Sequence, residues 1–298
     1  AQPGDNIWVA SGTYRPDSTV APNNSFLMES GVNLYGGFNG TETKLSERDP
    51  QTHVTILSGD LRGNDVVGDF TKNRTDNSLH VLRVDNGDPN NRSIIDGFLI
   101  QNGNTLNSGD ATGQRGAGIL AAAKVTVRNC RFTDNFGRLG VLTANGAVSS
   151  GVLVDNCIFE ANNSNSTSAG VAIFAATGGE VNKCIFRNNT TNRGCLYPDN
   201  STGIVVDSCL FEKNKSTTMG YFGSGMFTWQ SSYSVTNCIF RENETYNAIV
   251  YNDGREGGKM GLWENCLFEK NKASNIGSGL YNWQANITVR NCQFIENE

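Results

Sequence analysis

The sequence predicts an all-β solenoid, a stack of coils with three short strands in each, and three observations carry the prediction. A phrase of cysteine, phenylalanine two places on and asparagine three places after that returns seven times, from Cys130, Cys157, Cys184, Cys209, Cys238, Cys266 and Cys292. The copies lie 25 to 29 residues apart, and a near-constant period of that size marks repeats that each form one layer. Within a repeat the apolar residues alternate with polar ones over runs too short for a helix.

The strands are read from the alternation. Around Cys130 the runs are Gly118-Ile119-Leu120-Ala121, Val125-Thr126-Val127 and Cys130-Arg131-Phe132, and around Cys292 they are Gly279-Leu280-Tyr281, Ile287-Thr288-Val289 and Cys292-Gln293-Phe294. Alternate side chains of a strand point to opposite faces, so each run has an inner and an outer set. Three strands per repeat fit a right-handed parallel β-helix of about 10–11 coils rising about 4.8 Å each, a rod of roughly 50 Å.

The turns come next. Asn135, Asn162, Asn189, Asn214, Asn243, Asn271 and Asn297 hold one position in the seven copies, and Asn also precedes the cysteine at 129, 156, 237, 265 and 291. Asn tolerates the left-handed backbone region and bonds its own backbone. Stacked in register, its amides are expected to bond from coil to coil.

The cysteine and the Phe two places on share the inner face, which predicts a ladder of buried thiols acting as small apolar fillers. In-register side chains stand about 4.8 Å apart, more than the roughly 3.5–4.5 Å between the Cβ atoms of a disulfide. Cys195 falls outside the ladder. No CxxC is present, and the two histidines, His53 and His80, lie apart in sequence.

Before about Gly103 the cysteine phrase is absent, but strand-like runs persist at Ile7-Trp8-Val9, Val32–Tyr35, Val54–Leu57 and His80–Leu82. Ile95–Gly103 matches the repeat when Phe98 takes the cysteine place and Ile100 that of Phe132. The expectation is one domain over 1–298, with irregular coils over 1–103, regular coils over 104–298, and excursions at 15–25, 36–52 and 59–78. Ala1-Gln2-Pro3-Gly4 and the uncapped last repeat read as a piece of a longer chain that continues into further domains.

Composition narrows the function classes. The net charge is −5 and the isoelectric point about 5.2, with no basic footprint for nucleic acid. No apolar run approaches the roughly 18 residues of a membrane span.

PGDNIWVASGTYRP (Pro3–Pro16), GVNLYGGFNGTE (Gly31–Glu42), RDP (Arg48–Pro50) and ILSGD (Ile56–Asp60) resemble bacterial surface proteins of the right-handed parallel β-helix group. The NCxFxxN repeats are similar to those of the same group and of polymorphic outer-membrane proteins. The resemblance covers nearly the whole chain. It implies a secreted, extracellular or cell-surface location, outer-membrane association, relatives in Bacteroidetes-type bacteria, and a C-terminal sorting or anchoring segment beyond this chain. It implies no particular reaction.

One outward feature is a candidate site. Phe174, Tyr197, Phe227, Tyr251 and Tyr281 follow the buried apolar residue of one strand in five successive coils, and Asp199, Trp229, Asp253 and Trp283 lie two residues on. The expectation is a flat exposed aromatic strip flanked by carboxylates. Aromatic faces stack on sugar rings, which gives carbohydrate binding or adhesion. The bland reading is a ladder of stacked rings that stabilises the sheet, covered by a loop or a surface-protein partner. A second candidate is the loop Asp60-Leu61-Arg62-Gly63-Asn64-Asp65, whose Asp60, Asn64 and Asp65 oxygens are of the type Ca²⁺ prefers, with an ordinary Asx turn as the alternative. No other cofactor is indicated. The Asn-x-Ser/Thr triplets at Asn39, Asn188, Asn243 and Asn286 reflect an Asn-rich composition.

An enzyme is the second reading: a polysaccharide lyase, which needs a basic residue and a cation for the uronate carboxylate, or a glycoside hydrolase. Arg115, Arg128, Arg138, Lys183, Arg193, Arg255 and Lys259 are available, but no motif unites a base with an acidic metal cluster. A hydrolase needs two carboxylates on one groove. Asp199 and Asp253, two coils and about 9.6 Å apart with Trp229 between them, are the one pair to consider. The sequence leans toward a noncatalytic adhesive, glycan-binding or stalk-like segment.

Overall fold

The computed structural model describes the chain except residues 17–19, 86–87, 89, 110–112, 217–222 and 256–258. Part of the first expected excursion therefore lies outside the described residues. Three parallel sheets run the length of the molecule, of ten, ten and nine strands, each ordered as in the sequence. The first runs from Asn6–Ala10 to Asn286–Arg290, the second from Gly12–Tyr14 to Gln293–Ile295, and the third from Phe26–Met28 to Gly277–Trp283. Each coil gives one strand to each sheet in turn, the arrangement of a parallel β-helix.

The phenylalanines of the repeat form the spine of the core. Phe132, Phe159, Phe186, Phe211, Phe240, Phe268 and Phe294 stack along the second sheet with ring centroids 4.5–5.0 Å apart and planes within 9° of parallel. The spacing is set by the ladder of hydrogen bonds between coils. Glycine recurs where the third-sheet strand meets this spine. A Cβ on Gly118, Gly170, Gly225 or Gly279 would come within 3.0 Å of the ring of Phe132, Phe186, Phe240 or Phe294, respectively.

The cysteines run beside the rings. Cys130, Cys157, Cys184, Cys209, Cys238 and Cys266 are buried, Cys292 in the last coil is half-buried, and all are free thiols. Each buried thiol of this file donates to a carbonyl of the coil below: Cys157 to Val127 at 3.5 Å, Cys209 to Val181 at 3.3 Å and Cys266 to Val235 at 3.5 Å. Cys195 is buried elsewhere, on the carbonyl of Ser224. Burial pushes its thiol up from the ordinary value.

The asparagine ladder is continuous. Each side chain donates to the amide oxygen of the next, from Asn135 to Asn162 (3.1 Å) through Asn189, Asn214, Asn243 and Asn271 to Asn297 (2.9 Å). The same oxygen accepts the backbone N–H of the preceding Asn, as Asn189 does from Asn162. The left-handed bend is not at these asparagines, as the sequence suggested, but at the residue before each: Asp134, Ala161, Asn188, Lys213, Glu242, Lys270 and Glu296. That leaves each Asn free to turn its amide inward. The second Asn file does adopt the left-handed region, from Asn129 (φ 52°) to Asn291 (φ 50°).

The irregular coils keep the register. Leu99 pairs with Arg131 and Ile100 with Phe132, which sets Phe98 under Cys130. The excursion after Phe38 is fastened by Arg48, whose guanidinium reaches the carbonyls of Gly36 and Asp96 and the Asp96 carboxylate at 2.6 Å.

Candidate functional site

The outer face of the third sheet carries two parallel columns. Pairing sets Ala172 against Tyr197 and Phe174 against Asp199, then Asp199 against Trp229, and then Phe227, Trp229 against Tyr251, Asp253 and on to Tyr281, Trp283. One column therefore reads Ala172, Tyr197, Phe227, Tyr251, Tyr281. The other reads Phe174, Asp199, Trp229, Asp253, Trp283. Phe174 was expected among the tyrosines and belongs in the second column. The glycine that meets the Phe spine is the marker that sets this right. Counting two from Gly170, Gly225 and Gly279 gives Ala172, Phe227 and Tyr281; counting four gives Phe174, Trp229 and Trp283.

The expected open strip is also corrected. Tyr197, Phe227 and Tyr251 are buried, at 2%, 0% and 5% exposure, and form with Ala172 a small apolar cluster outside the main core, against which Phe174, Trp229 and Tyr281 pack. Tyr197 and Phe227 stack with centroids 5.2 Å apart, and Tyr251 and Tyr281 lie 4.8 Å apart. Trp283 remains open, at 42%.

Arginines sheathe the rings. The guanidinium of Arg115 lies 4.7 Å over Phe174, that of Arg255 lies 4.8 Å over Trp229, and that of Arg193 stands 5.9 Å from both Tyr197 and Phe227. The sequence marks these three arginines only as cations for a lyase. A cation over an aromatic face is held by the ring quadrupole, which explains why they fold back onto the sheet. Arg115 also bonds the side-chain oxygen of Asn145, one step below Phe174 in the second column.

The two carboxylates have internal partners. Asp253 is buried and held by Arg255 through Nη2 to Oδ2 at 2.8 Å and Nε to Oδ1 at 3.0 Å. Asp199 accepts from the Tyr197 hydroxyl at 2.6 Å and from the Asn200 amide at 2.7 Å. Burial, with the Asp199 charge beside it, pushes the Tyr197 phenol up, so it keeps its proton and donates. Trp229 lies between the two aspartates in the pairing, as expected. A buried, ion-paired Asp253 is poorly placed to act as an acid or a base.

The loop proposed for calcium is a self-capped turn. Asp60 accepts the backbone N–H groups of Gly63, Asn64 and Asp65, and the Asn64 side chain has no part in that cap. Asp65 pairs with Arg74 at 3.1 Å and accepts from the Asn77 and Asn102 amides at 2.7 Å each. Among the described residues no three His, Cys, Asp or Glu side chains converge as metal ligands. A groove of about 1140 Å³ lies between the 45–54 excursion and the outer face of the second sheet, over Leu99, Ile158 and Ile185, and has no aromatic platform beyond the edge of Phe98. No helix among the described residues is long and apolar enough to cross a membrane.

The geometry defines a parallel β-solenoid, and sequence comparison gives its class. A family model described as the right-handed beta helix region matches residues 58–228, more than half of the chain. The chain belongs to this family. No curated protein and no solved structure matches it significantly.

Proposed function

We propose that the chain is a noncatalytic segment of a large secreted or surface-attached protein, of the type found in Bacteroidetes-type bacteria, and that it holds a glycan on the outer face of its third sheet. The observation that carries this reading is the column Phe174, Asp199, Trp229, Asp253, Trp283. An aromatic ring recurs every second coil, about 9.6 Å apart, close to the length of two pyranose rings in an extended chain. Between the rings stands the Asp199 carboxylate, which bonds hydroxyls; the guanidinium groups of Arg115 and Arg255 lie over Phe174 and Trp229 and offer N–H donors there, and Trp283 is the exposed ring.

The engaged carboxylates favour binding over cleavage. Asp253 is neutralised by Arg255 and Asp199 is tied to Tyr197, so this pair of acids is not free to act on a glycosidic bond. Buried structural thiols are inert, so the seven buried free cysteines do not count against an oxidising exterior.

A glycan array with the wild-type chain and a Trp229→Ala/Trp283→Ala variant tests the reading. Binding to one or more extended glycans, weakened in the variant, is expected. An array with no bound glycan, or one unchanged by the double substitution, counts against it. Uronate polymers incubated with the chain are expected to yield no absorbance from unsaturated products. Product formation lost on Arg115→Ala would favour a lyase instead.

A further inference from the structure

The excursion 59–78 leaves the coils between the second and third sheets, and its apolar anchors are Leu61, which is buried, and Phe70, whose ring meets Phe136 edge-on at 5.5 Å. Val66 and Val67 are 49% and 84% exposed. Much of the remaining interior is polar. Asp60, Asp76, Asn77 and Ser78 are buried, and so is Arg74; the Asp65 side chain is 3% exposed. Asp134, two coils further on, closes the group: its Oδ1 accepts the Gly68 N–H, and its carbonyl accepts from Arg74 Nη1 at 2.9 Å.

Two features of this interior are out of balance. Four carboxylates are buried here with one buried guanidinium: Arg74 reaches Asp65 at 3.1 Å and Asp134 at 4.0 Å, while Asp60 and Asp76 accept backbone N–H groups. Buried charge of one sign demands compensation. In addition, Asp65 Oδ1, Asn77 Oδ1 and Ser78 Oγ are buried oxygens with no hydrogen-bond partner. The Asn77 amide is not reversible, because its nitrogen donates to both Asp65 Oδ2 and the Asn102 carbonyl at 2.7 Å. A flip would set oxygen against oxygen at both contacts. A bound water would satisfy acceptors but add no charge.

We infer that this excursion is built around a calcium site, with Asp65 Oδ1 as its charged ligand and Asn77 Oδ1 as a neutral one, and the Ser78 hydroxyl at its margin. Hard carboxylate, amide and hydroxyl oxygens are the donor set calcium takes. The site differs from the turn Asp60–Asp65 read from the sequence, since Asp60 is spent on capping backbone N–H groups and Asn64 lies outside. Calcium here would fasten the longest described excursion to the next two coils, which carry Asn102 and Asp134 in turn. It is independent of glycan binding on the third sheet.

The test is calorimetric titration of the metal-depleted 298-residue chain with calcium chloride, with melting followed in parallel. One calcium per chain is expected, with a rise in Tm of about 5 °C at a hundredfold excess over Kd, reversed by a chelator. Asp65→Asn is expected to weaken binding at least tenfold, while Asp69→Asn, which removes a carboxylate held by Thr71 and Lys72 in the same excursion, leaves it unchanged. Should Asp65→Asn fail to fold, the wild-type stoichiometry and Tm shift still decide. No heat and no Tm response to calcium overturns the proposal, as does calcium binding retained by a folded Asp65→Asn chain.

Discussion

Asp253 and Arg255, two residues apart, form a bidentate ion pair in which the carboxylate is 2% exposed and the guanidinium 47%, and the same guanidinium covers the ring of Trp229. One side chain thus neutralises a buried charge and shields a candidate binding ring. Arg255→Ala is predicted to destabilise the chain by about 1–2 kcal/mol, at the low end of a broken charged hydrogen bond because solvent screens the exposed partner. Trp229 would become more solvated. Urea unfolding and a red shift of tryptophan emission check the two effects separately.

The asparagine ladder makes a positional prediction. Asn189→Ala removes a donor to the Phe159 carbonyl and an acceptor for the Asn162 backbone N–H, both at buried sites. Unmet buried groups cost about 1–3 kcal/mol each, so a loss of about 3 kcal/mol is expected. Asn297→Ala, at the half-buried last rung, is expected to lose about 1 kcal/mol. Equal midpoints for the two variants in urea would contradict the ladder as a source of stability.

Asp96 links stability to acid. Burial works to raise its carboxyl, but hydrogen bonds from Arg48, Asn129 and Arg128 overcome that and hold it below the ordinary value. A group depressed in the folded state contributes stability above its unfolded value, near 4, and loses it as pH falls through the lower folded value. The wild type is therefore expected to lose stability steadily below about pH 4. Asp96→Asn is expected to be less stable at neutral pH with a shallower acid slope. Parallel slopes in the two chains would remove Asp96 from the account.

The thiol file predicts a reactivity order. Cys292 is half-buried while the other seven cysteines are buried, and an aromatic disulfide reagent attacks the accessible thiolate. One thiol per native chain is expected to react promptly, with Cys292→Ser abolishing that phase. The remaining seven should react at the rate of unfolding. Prompt reaction of several thiols would mean an open core.

The repeat was legible in the sequence because seven successive coils stack the same Cys, Phe and Asn on one another at fixed inner positions. Phe98 and Ile100 extended it into the irregular coils for the same reason. The two outer columns were legible except at Phe174, which follows Ile173 as Tyr197 follows Leu196; the turns that precede the third sheet differ in length, and only the spacing from Gly170 sets Phe174 against Asp199. Nor was the sheath visible. Arg115, Arg193 and Arg255 reach their rings from turns outside the strands, so no strand periodicity predicts them. The polar interior of the 59–78 excursion escaped notice because Asp65, Asn77, Asn102 and Asp134 meet only after the coils stack.

The most direct measurement is the equilibrium affinity of the strongest array glycan for the wild type and for the Trp229→Ala/Trp283→Ala chain, with circular dichroism matched between the two. The account predicts at least a tenfold rise in Kd, equivalent to about 1.4 kcal/mol, with the β-helix intact. An unchanged Kd in a folded double variant would contradict it.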